Sequence, residues 1–417
     1  LFPVSSFSGK VMFSNGEVLI QKFGGSSMGS VERINRVAER IAEKARRGHR
    51  MVIVVSAMAD TTDDLIGLMN RVSIDPDRRE NDQLLATGEM VSASLAASAL
   101  QKLGVRARSF NAFNLHLLSE LQNDEYNIIQ VGRSNNLARF LEPGSVAVVA
   151  GFQGITAEGD LTTLGRGGSD LTAVVLAREL GQKVCEKYTD EEGIFTADPR
   201  IIPHARKVWH LDYQEMLELA AFGNGILHPR AISCARDDEI RIHVRSSFTR
   251  AEGSVVGPDG DRELAVKSIT SDGKFVVVKI HGISMPDPIF SANLQRAGFM
   301  PSIMQWLRYH EKNGSLRLAF RRQDSFEAIP FCWEEAARLN AEEVFCHANL
   351  QTISMVGCGI GKVGHEVFLE ALEKIDIVPV LWHLDKIRMS VSVEKEKAQT
   401  CIAALHDVLL DSVKTSS

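Results

Sequence analysis

Three short stretches of this sequence combine charge, hydroxyls and glycine in a way that suits an anion. In Lys22-Phe23-Gly24-Gly25-Ser26-Ser27 a lysine ends an apolar run, and two glycines and two hydroxyls lead into a helical pattern. Backbone N–H groups at a helix start, the helix dipole and glycines that admit close approach all favour phosphate. No Gly-Lys-Ser/Thr follows the glycines, so this is not a Walker A loop, and an ordinary strand–turn–helix junction reads the same way. In Thr163-Leu164-Gly165-Arg166-Gly167-Gly168-Ser169-Asp170 an arginine stands among three glycines ahead of a second helix. Ser169 and Asp170 suit the cap of that helix, whereas a guanidinium on flexible backbone suits a bidentate grip on carboxylate or phosphate. A third stretch, Tyr188 to Arg200, follows a strand-like run and has the acids, arginine and glycine of a nucleotide loop, or of any solvated turn. Ser56 to Thr62 and Thr87-Gly88-Glu89 are weaker signals; the latter reads as a helix start, where Glu89 also fits an ordinary first-turn charge.

Strands and helices must bring these stretches to one edge. Val18 to Lys22, Met51 to Val55 and Val146 to Ala150 read as strands. Val31, Ile34, Val37, Ala38, Ile41 and Ala45 share one helical face that stops at Gly48, and Leu171 to Leu180 has helical spacing ending at Gly181. Such alternation predicts a largely parallel sheet covered on both faces, with ligands at the carboxyl ends of its strands. Thr249 to Arg262, with Gly253, Gly257, Pro258 and Gly260, reads as a linker. Beyond it the rhythm changes. A strand over Phe275 to Ile280 precedes a helix over Ile289 to Ala297; Thr352 to Val356 and Ile387 to Val393 read as strands, Glu366 to Lys374 and Ala398 to Leu409 as helices. This faint repeat predicts a pair of small α+β modules. Gly359-Ile360-Gly361-Lys362-Val363-Gly364 fits a dinucleotide fingerprint, with Asp385 further on, but the chain that follows is too short for a doubly wound sheet.

Composition narrows the class. The 417 residues suggest two or three domains. With 44% hydrophobic and 24% charged residues, a wholly disordered or collagenous chain is excluded. No apolar run approaches the roughly 18–20 residues that span a bilayer. Lys plus Arg is 47 against 53 Asp plus Glu, a net charge of −6 with no basic stripe, which argues against nucleic acid as a partner. Six cysteines without a C-x-x-C pair suggest neither a zinc site nor a disulfide framework, and read as reduced, mostly buried thiols. Leu1 to Gly16 lacks the apolar core of a signal peptide, and Met12 could be a natural start; a soluble, cytoplasmic protein is the expectation.

Taken together, Lys22 to Ser27, Leu85-Ala86-Thr87-Gly88-Glu89, Gly151-Phe152-Gln153-Gly154, the Gly165 to Asp170 run and Thr196-Ala197-Asp198-Pro199-Arg200 resemble aspartate kinases of the amino acid kinase family. Met216-Leu217-Glu218-Leu219-Ala220 and Leu227-His228-Pro229-Arg230 extend the match, which covers about Glu17 to Ser247; the tail is similar, more loosely, to paired ACT modules. The resemblance implies an α/β fold: a largely parallel sheet with helices on both faces over 17–250, then ACT-like modules over 265–345 and 346–417. It implies transfer of the γ-phosphoryl of ATP, with Mg²⁺, to the side-chain carboxylate of L-aspartate, giving 4-phospho-L-aspartate and ADP. That reaction opens the route to lysine, threonine and methionine. It further implies a homodimer or higher oligomer through the ACT-like modules, and neither a nucleic acid nor a membrane partner.

By matching positions, the resemblance gives Lys22 the transferring phosphoryl group, Glu89 the substrate amine and Arg166 the substrate α-carboxylate. Ser26, Ser56, Thr62 and Ser169 become polar contacts, Asp170 supports the phosphate and metal region, and Gly24, Gly25, Thr189, Asp190, Phe195 and Arg200 line the nucleotide site; no residue is assigned as a metal ligand. A carboxylate nucleophile is already ionised at neutral pH, so no general base is needed. Positioning and positive charge on the phosphoryl group remain, with loop closure to shield the acyl phosphate from water.

Departures from the family pattern are equally specific. A lysine that assists ATP binding commonly stands two residues before Leu227, where this chain has Gly225; Glu192 and Phe195 replace a usual Asp and a frequent Tyr. Loss of one cation costs on the order of 1–3 kcal/mol of binding to a charged partner. A weakly catalytic regulatory subunit, or a kinase for another carboxylate, therefore stays open as an alternative. In the tail, an Asn-x-Asp pattern expected to grip an effector amino acid becomes Met300-Pro301-Ser302, its counterpart reads Trp382-His383-Leu384-Asp385, and the turn before the first helix reads Met285-Pro286-Asp287-Pro288-Ile289. Feedback by lysine and threonine is expected to be weak or altered.

Overall fold

The computed structural model describes residues 18–414 except 123, 133, 261–264, 284–287, 311–312 and 364. The readings of Leu1 to Gly16, of Met285 to Asp287 and of Gly364 lie outside the described residues. The chain divides into two compact units, the first formed by residues up to 194 with 209–217 and 225–260, the second by 195–208, 218–224 and 261 onward.

The first half runs β1 (Val18–Phe23), α1 (Val31–Arg46), β2 (Arg50–Val55), α2 (Thr61–Val72), α3 (Arg78–Lys102), β3 (Ala107–Phe110), α4 (Ala112–Leu115), β4 (Leu117–Gln122) and β5 (Glu125–Val131). It continues through α5 (Ser134–Phe140), β6 (Val146–Ala150), β7 (Gln153–Ile155), β8 (Leu161–Thr163), α6 (Gly168–Glu179), β9 (Val184–Thr189), β10 (Ile194–Phe195) and β11 (Lys207–Val208). β12 (His210–Asp212), α7 (Tyr213–Ala221), α8 (Pro229–Asp237), β13 (Arg241–Ser246) and β14 (Ser254–Gly257) follow.

The first unit is built on an eight-stranded sheet in the order β12-β14-β13-β9-β1-β2-β6-β3. Every neighbouring pair is parallel except β13 and β14. β2 and β6 are apolar without alternation because both faces are covered, and Met51–Val55 and Val146–Ala150 are buried throughout. On one face the apolar stripe of α1, with Ile34, Val37, Ala38 and Ile41, packs with Ala93, Ala96, Ala97 and Leu100 of α3 and with Met51, Ile53 and Val55. On the other, Ala173 and Val174 of α6 face a small cavity shared with Lys22, Cys185, Lys187 and Ile242. A second sheet, β5-β4-β7-β8, carries the loop that leads into α6.

Three local readings need correction. The stretch from Thr249 is not a plain linker, because Val255 and Val256 complete β14, which lies between β12 and β13. Glu89 does not open a helix but sits inside α3, which starts at Asp77, whose carboxylate accepts from the Arg79 N–H at 2.9 Å. Gly88 imitates a helix start for another reason: a Cβ there would lie 2.9 Å from the Ala57 Cβ, so the helix needs glycine to approach the loop after β2. Ser169 and Asp170 do not cap α6 either, whose N-cap is Gly167.

The second half adds β15 (Ser268–Asp272), β16 (Phe275–Ile283), α9 (Pro288–Arg296), β17 (Ile303–His310), β18 (Asn313–Arg321), α10 (Arg322–Arg338), β19 (Glu343–His347) and β20 (Leu350–Val356). α11 (Ile360–Val363), α12 (His365–Glu373), β21 (Leu381–Leu384), β22 (Arg388–Glu394) and α13 (Ala398–Lys414) complete it. Within the second unit lie two four-stranded sheets, β17-β18-β16-β19 and β15-β20-β22-β21, antiparallel throughout. α9 and α10 pack Phe290, Leu294, Ala328 and Cys332 on the first sheet; α12 and α13 pack Phe368, Leu372, Ile402 and Leu405 on the second. These are the two α+β modules, and β15 joins the sheet built mainly from the later residues. No disulfide joins the six cysteines to one another; Cys185, Cys332 and Cys401 are buried, Cys234 is half-buried, and Cys346 and Cys358 are exposed, so fewer are buried than expected. Among the described residues no helix is long and apolar enough to cross a membrane.

Candidate active site

Lys22 comes to the carboxyl end of β1 on the face that α6 covers, and its ammonium reaches Asp170 Oδ1 at 2.7 Å as an ion pair. The other oxygen of Asp170 accepts from Lys187 Nζ at 2.5 Å. Lys187 lies on β9, directly in register with Lys22 on the neighbouring parallel strand, so the two side chains leave the sheet together. Sequence reasoning missed Lys187. A second lysine near the end of a second strand can be read from the sequence, but its pairing with Lys22 cannot. Burial pushes the Asp170 carboxyl up, but the charges and hydrogen bonds of Lys187 and Lys22 outweigh it and hold the group at about 2. Burial also pulls Lys187 down to about 8, against the attraction of Asp170, and pushes the neighbouring Cys185 thiol up to about 12. With both oxygens taken by lysines, Asp170 supports this site as an organiser of cations rather than as an open metal ligand.

The loops after β1 and β2 interlock beside Lys22. The Ser56 N–H donates to the Phe23 carbonyl at 3.1 Å and the Ala59 N–H to the Gly25 carbonyl at 3.2 Å. Gly24, Gly25, Ser26, Ser56 and Thr62 are all half-buried along this junction, Thr62 in the first turn of α2. Glu89 reaches the junction from α3. It is 3% exposed, Oε1 accepts from the Ala57 N–H at 3.0 Å, and Oε2 is buried with no hydrogen-bond partner among the described residues. Burial pushes its carboxyl up to about 7, in spite of the Ala57 hydrogen bond and the Lys22 charge. A buried carboxylate with one free oxygen is ready to receive a cation.

The loop from Leu164 to Asp170 is held from below by the Leu-His-Pro-Arg segment. Arg230 donates to the Leu164 carbonyl and, at 2.5 Å each, to the Tyr126 carbonyl and Asn127 Oδ1, and it pairs with Glu125 at 2.8 Å. Gly167 has φ +74, and a Cβ there would fall 2.2 Å from that of His228, so the loop closes on the segment only with glycine. Ser169 is buried at the start of α6, whereas Arg166 at the crest of the loop is exposed and makes no hydrogen bond or ion pair to the described residues. A guanidinium presented this way can take a carboxylate in two parallel hydrogen bonds.

Of the expected nucleotide residues, Thr189 ends β9 and Asp190 follows it, with the Thr189 hydroxyl donating to Asp190 Oδ1 at 2.9 Å. Phe195 and Arg200 fall in the second unit. There the Lys207 ammonium stands 5.6 Å from the Phe195 ring centroid, and Arg200 pairs with Asp198 at 2.8 Å.

Residues 17–246 match the model of the amino acid kinase family. An aspartokinase of Geobacillus stearothermophilus is 36% identical over 399 residues, covering 94% of this chain and 96% of the relative. Aspartokinase 2 of Bacillus subtilis is 35% identical, over 94% of this chain and 97% of its own. Among solved structures, aspartate kinase from Synechocystis is 31% identical with a TM-score of 0.52, over 94% of this chain and 69% of that one. Escherichia coli aspartokinase III in complex with aspartate and ADP shares the fold, with a TM-score of 0.75 at 22% identity over 94% of this chain and all of that one. With the lysines, the buried glutamate and the arginine loop at the carboxyl edge of such a sheet, the chain belongs to the amino acid kinase family and, within it, to the aspartokinases.

Proposed function

We propose that this aspartate kinase transfers the γ-phosphoryl of its substrate Mg-ATP to L-aspartate through the residues gathered around Lys22. The carrying observation is that Lys22 and the half-paired carboxylate of Glu89 are buried within reach of each other's charge, while Asp170, at the start of the helix that follows the Arg166 loop, holds Lys22 in place. Glu89 Oε2 takes the substrate ammonium, which keeps Glu89 ionised, and Arg166 takes the α-carboxylate. The side-chain carboxylate is then directed at the phosphorus. One of its oxygens forms the new P–O bond as the bond from phosphorus to the ADP oxygen breaks and the electron pair leaves with ADP. No proton moves, because the nucleophile is already an anion. The barrier is lowered by position and by the Lys22 charge on the phosphoryl oxygens. Ser26, Ser56, Thr62 and Ser169 add polar contacts, Gly24 and Gly25 let phosphate approach the backbone, and Thr189 and Asp190 border the nucleotide. Mg²⁺ enters with ATP.

A coupled assay of ADP release tests this, run with aspartate and then with glutamate at saturating Mg-ATP. Turnover that depends on aspartate and is weak or absent with glutamate is the expected result. Turnover with glutamate alone would reassign the substrate, and none with either would leave the chain without this activity.

A further inference from the structure

We propose that Lys187 is a positioning residue of the phosphoryl-transfer site: by holding Asp170 it frees the positive charge of Lys22 for the phosphoryl group. This rests on the aspartate kinase reading and adds a residue to it. A lysine paired only with a buried aspartate is electrically neutral seen from outside the pair. In this chain two ammonium groups share one carboxylate, at 2.7 and 2.5 Å on opposite oxygens, so the group carries one net positive charge. Lys22, Lys187 and Asp170 are each less than 10% exposed. The other residues around their small cavity, Ala173, Val174, Cys185, Leu227 and Ile242, provide no second anion, the Cys185 thiol is held neutral, and Glu89, the further carboxylate whose charge reaches Lys22, is raised to about 7 by burial and is committed to the substrate ammonium. An uncompensated buried charge is strongly unfavourable unless a counter-ion completes it. The carboxyl edge of the sheet, beside a glycine turn, is where a phosphate would do so.

The register explains how the device is built. Lys22 and Lys187 are paired residues on adjacent parallel strands, so the sheet itself sets them side by side. The segment before Leu227, where the family resemblance leads one to expect a cation, carries Gly225, and a Cβ at that position would meet nothing within 4 Å. Leu227 of that segment lines the same cavity as Lys187. The charge missing from the loop is thus available from the strand.

The test compares the parent, Lys187→Met and Lys187→Met/Gly225→Lys for aspartate-dependent turnover, and for ATP binding by titration calorimetry. Lys187→Met is expected to lower kcat about 100-fold with the aspartate KM changed less than about threefold, because the charge acts on the transition state. Adding Gly225→Lys should recover at least about tenfold of the lost kcat, since a cation from the open loop replaces the charge. A packing defect at position 187 would not respond to that second change. Should Lys187→Met fail to fold, Lys187→Gln keeps a donor to Asp170 without the charge and takes its place. Unchanged kcat and ATP affinity in a folded 187 variant, or a loss that Gly225→Lys does not relieve, overturns the proposal. A parent without aspartate turnover whose ATP binding weakens in Lys187→Met would instead remove the aspartate reading and leave the cation pair standing.

Discussion

The charges of the site are few enough to be separated by kinetics. In the proposed mechanism Lys22 acts on charge that develops only as the phosphoryl moves. Lys22→Ala should therefore lower kcat by about 10²–10³ while the aspartate KM stays within a few-fold, measured by initial rates at saturating Mg-ATP. In the same mechanism Arg166 grips a group that does not react, so Arg166→Ala should chiefly raise the aspartate KM; an unchanged KM would place the α-carboxylate elsewhere. Glu89 gives the pH dependence. Its carboxyl, raised to about 7 by burial, must be ionised to receive the substrate ammonium. Above pH 7 the anion is present and the KM should be flat. Below pH 7 protonation competes with the ammonium, and the KM should rise about tenfold per pH unit. Glu89→Gln should bind aspartate weakly with no such rise, and a parent whose KM stays flat from pH 8 to pH 6 would remove Glu89 from the amine site.

At the level of elements, the site is a product of where strands and helices end. Two opposing effects meet at Gly88. Helix propensity alone would favour alanine in the interior of α3 by about 1 kcal/mol. Against this, the added Cβ would lie 2.9 Å from that of Ala57, and relieving that contact moves either α3 or the loop that donates to Glu89. Overpacking of this kind typically costs about 1–3 kcal/mol, so Gly88→Ala should lower the melting temperature and raise the aspartate KM together. A stabilised variant with parental KM would show that the loop yields freely. Gly88 also marks how far the sequence could be read. The apolar runs of β1, β2 and β6 and the stripe of α1 were legible because burial on both faces, or on one, leaves a direct pattern in residue type. Glu89 could be singled out from the sequence but not placed in the interior of a helix, since a glycine kept for close packing looks the same as one kept for a turn. β14 was hidden because its two valines lie among glycines and a proline. Lys187 was missed because its meaning depends on register: only the pairing of β9 with β1 sets it beside Lys22, and parallel pairing between strands some 160 residues apart leaves no local trace.

On the scale of the whole molecule, the second unit poses the question of regulation, and its polar groups answer toward silence. An effector amino acid held between ACT-like modules needs an anion for its ammonium and donors for its carboxylate. Where Asn-x-Asp is expected the chain has Met300, which is 70% exposed, in place of the Asn, and Ser302, whose N–H donates to the Ala319 carbonyl at 2.7 Å, in place of the acid. In the other sheet the hydroxyls are used internally: Thr352 pairs with Ser392 at 2.8 Å and Ser354 with Ser390 at 2.7 Å. Arg388 donates to Ser390 at 2.5 Å and to Glu218 at 2.8 Å, and lies over the Phe222 ring. Opening such a network to admit a zwitterion would leave buried charges without partners, at a cost of several kcal/mol by order of magnitude. The modules keep their sheets and cores. Lysine and threonine, alone and together, are therefore expected to bind without saturation in the micromolar range when titrated into the enzyme. The melting temperature supplies an independent readout, because 1 mM of a ligand with micromolar affinity would add about 4 kcal/mol to the stability of the unit that binds it. A shift of that size, or saturable heat at micromolar concentration, would mean that the effector pocket has been rebuilt from other residues. An unmoved transition in both titrations would mean that this aspartokinase runs without feedback from either amino acid.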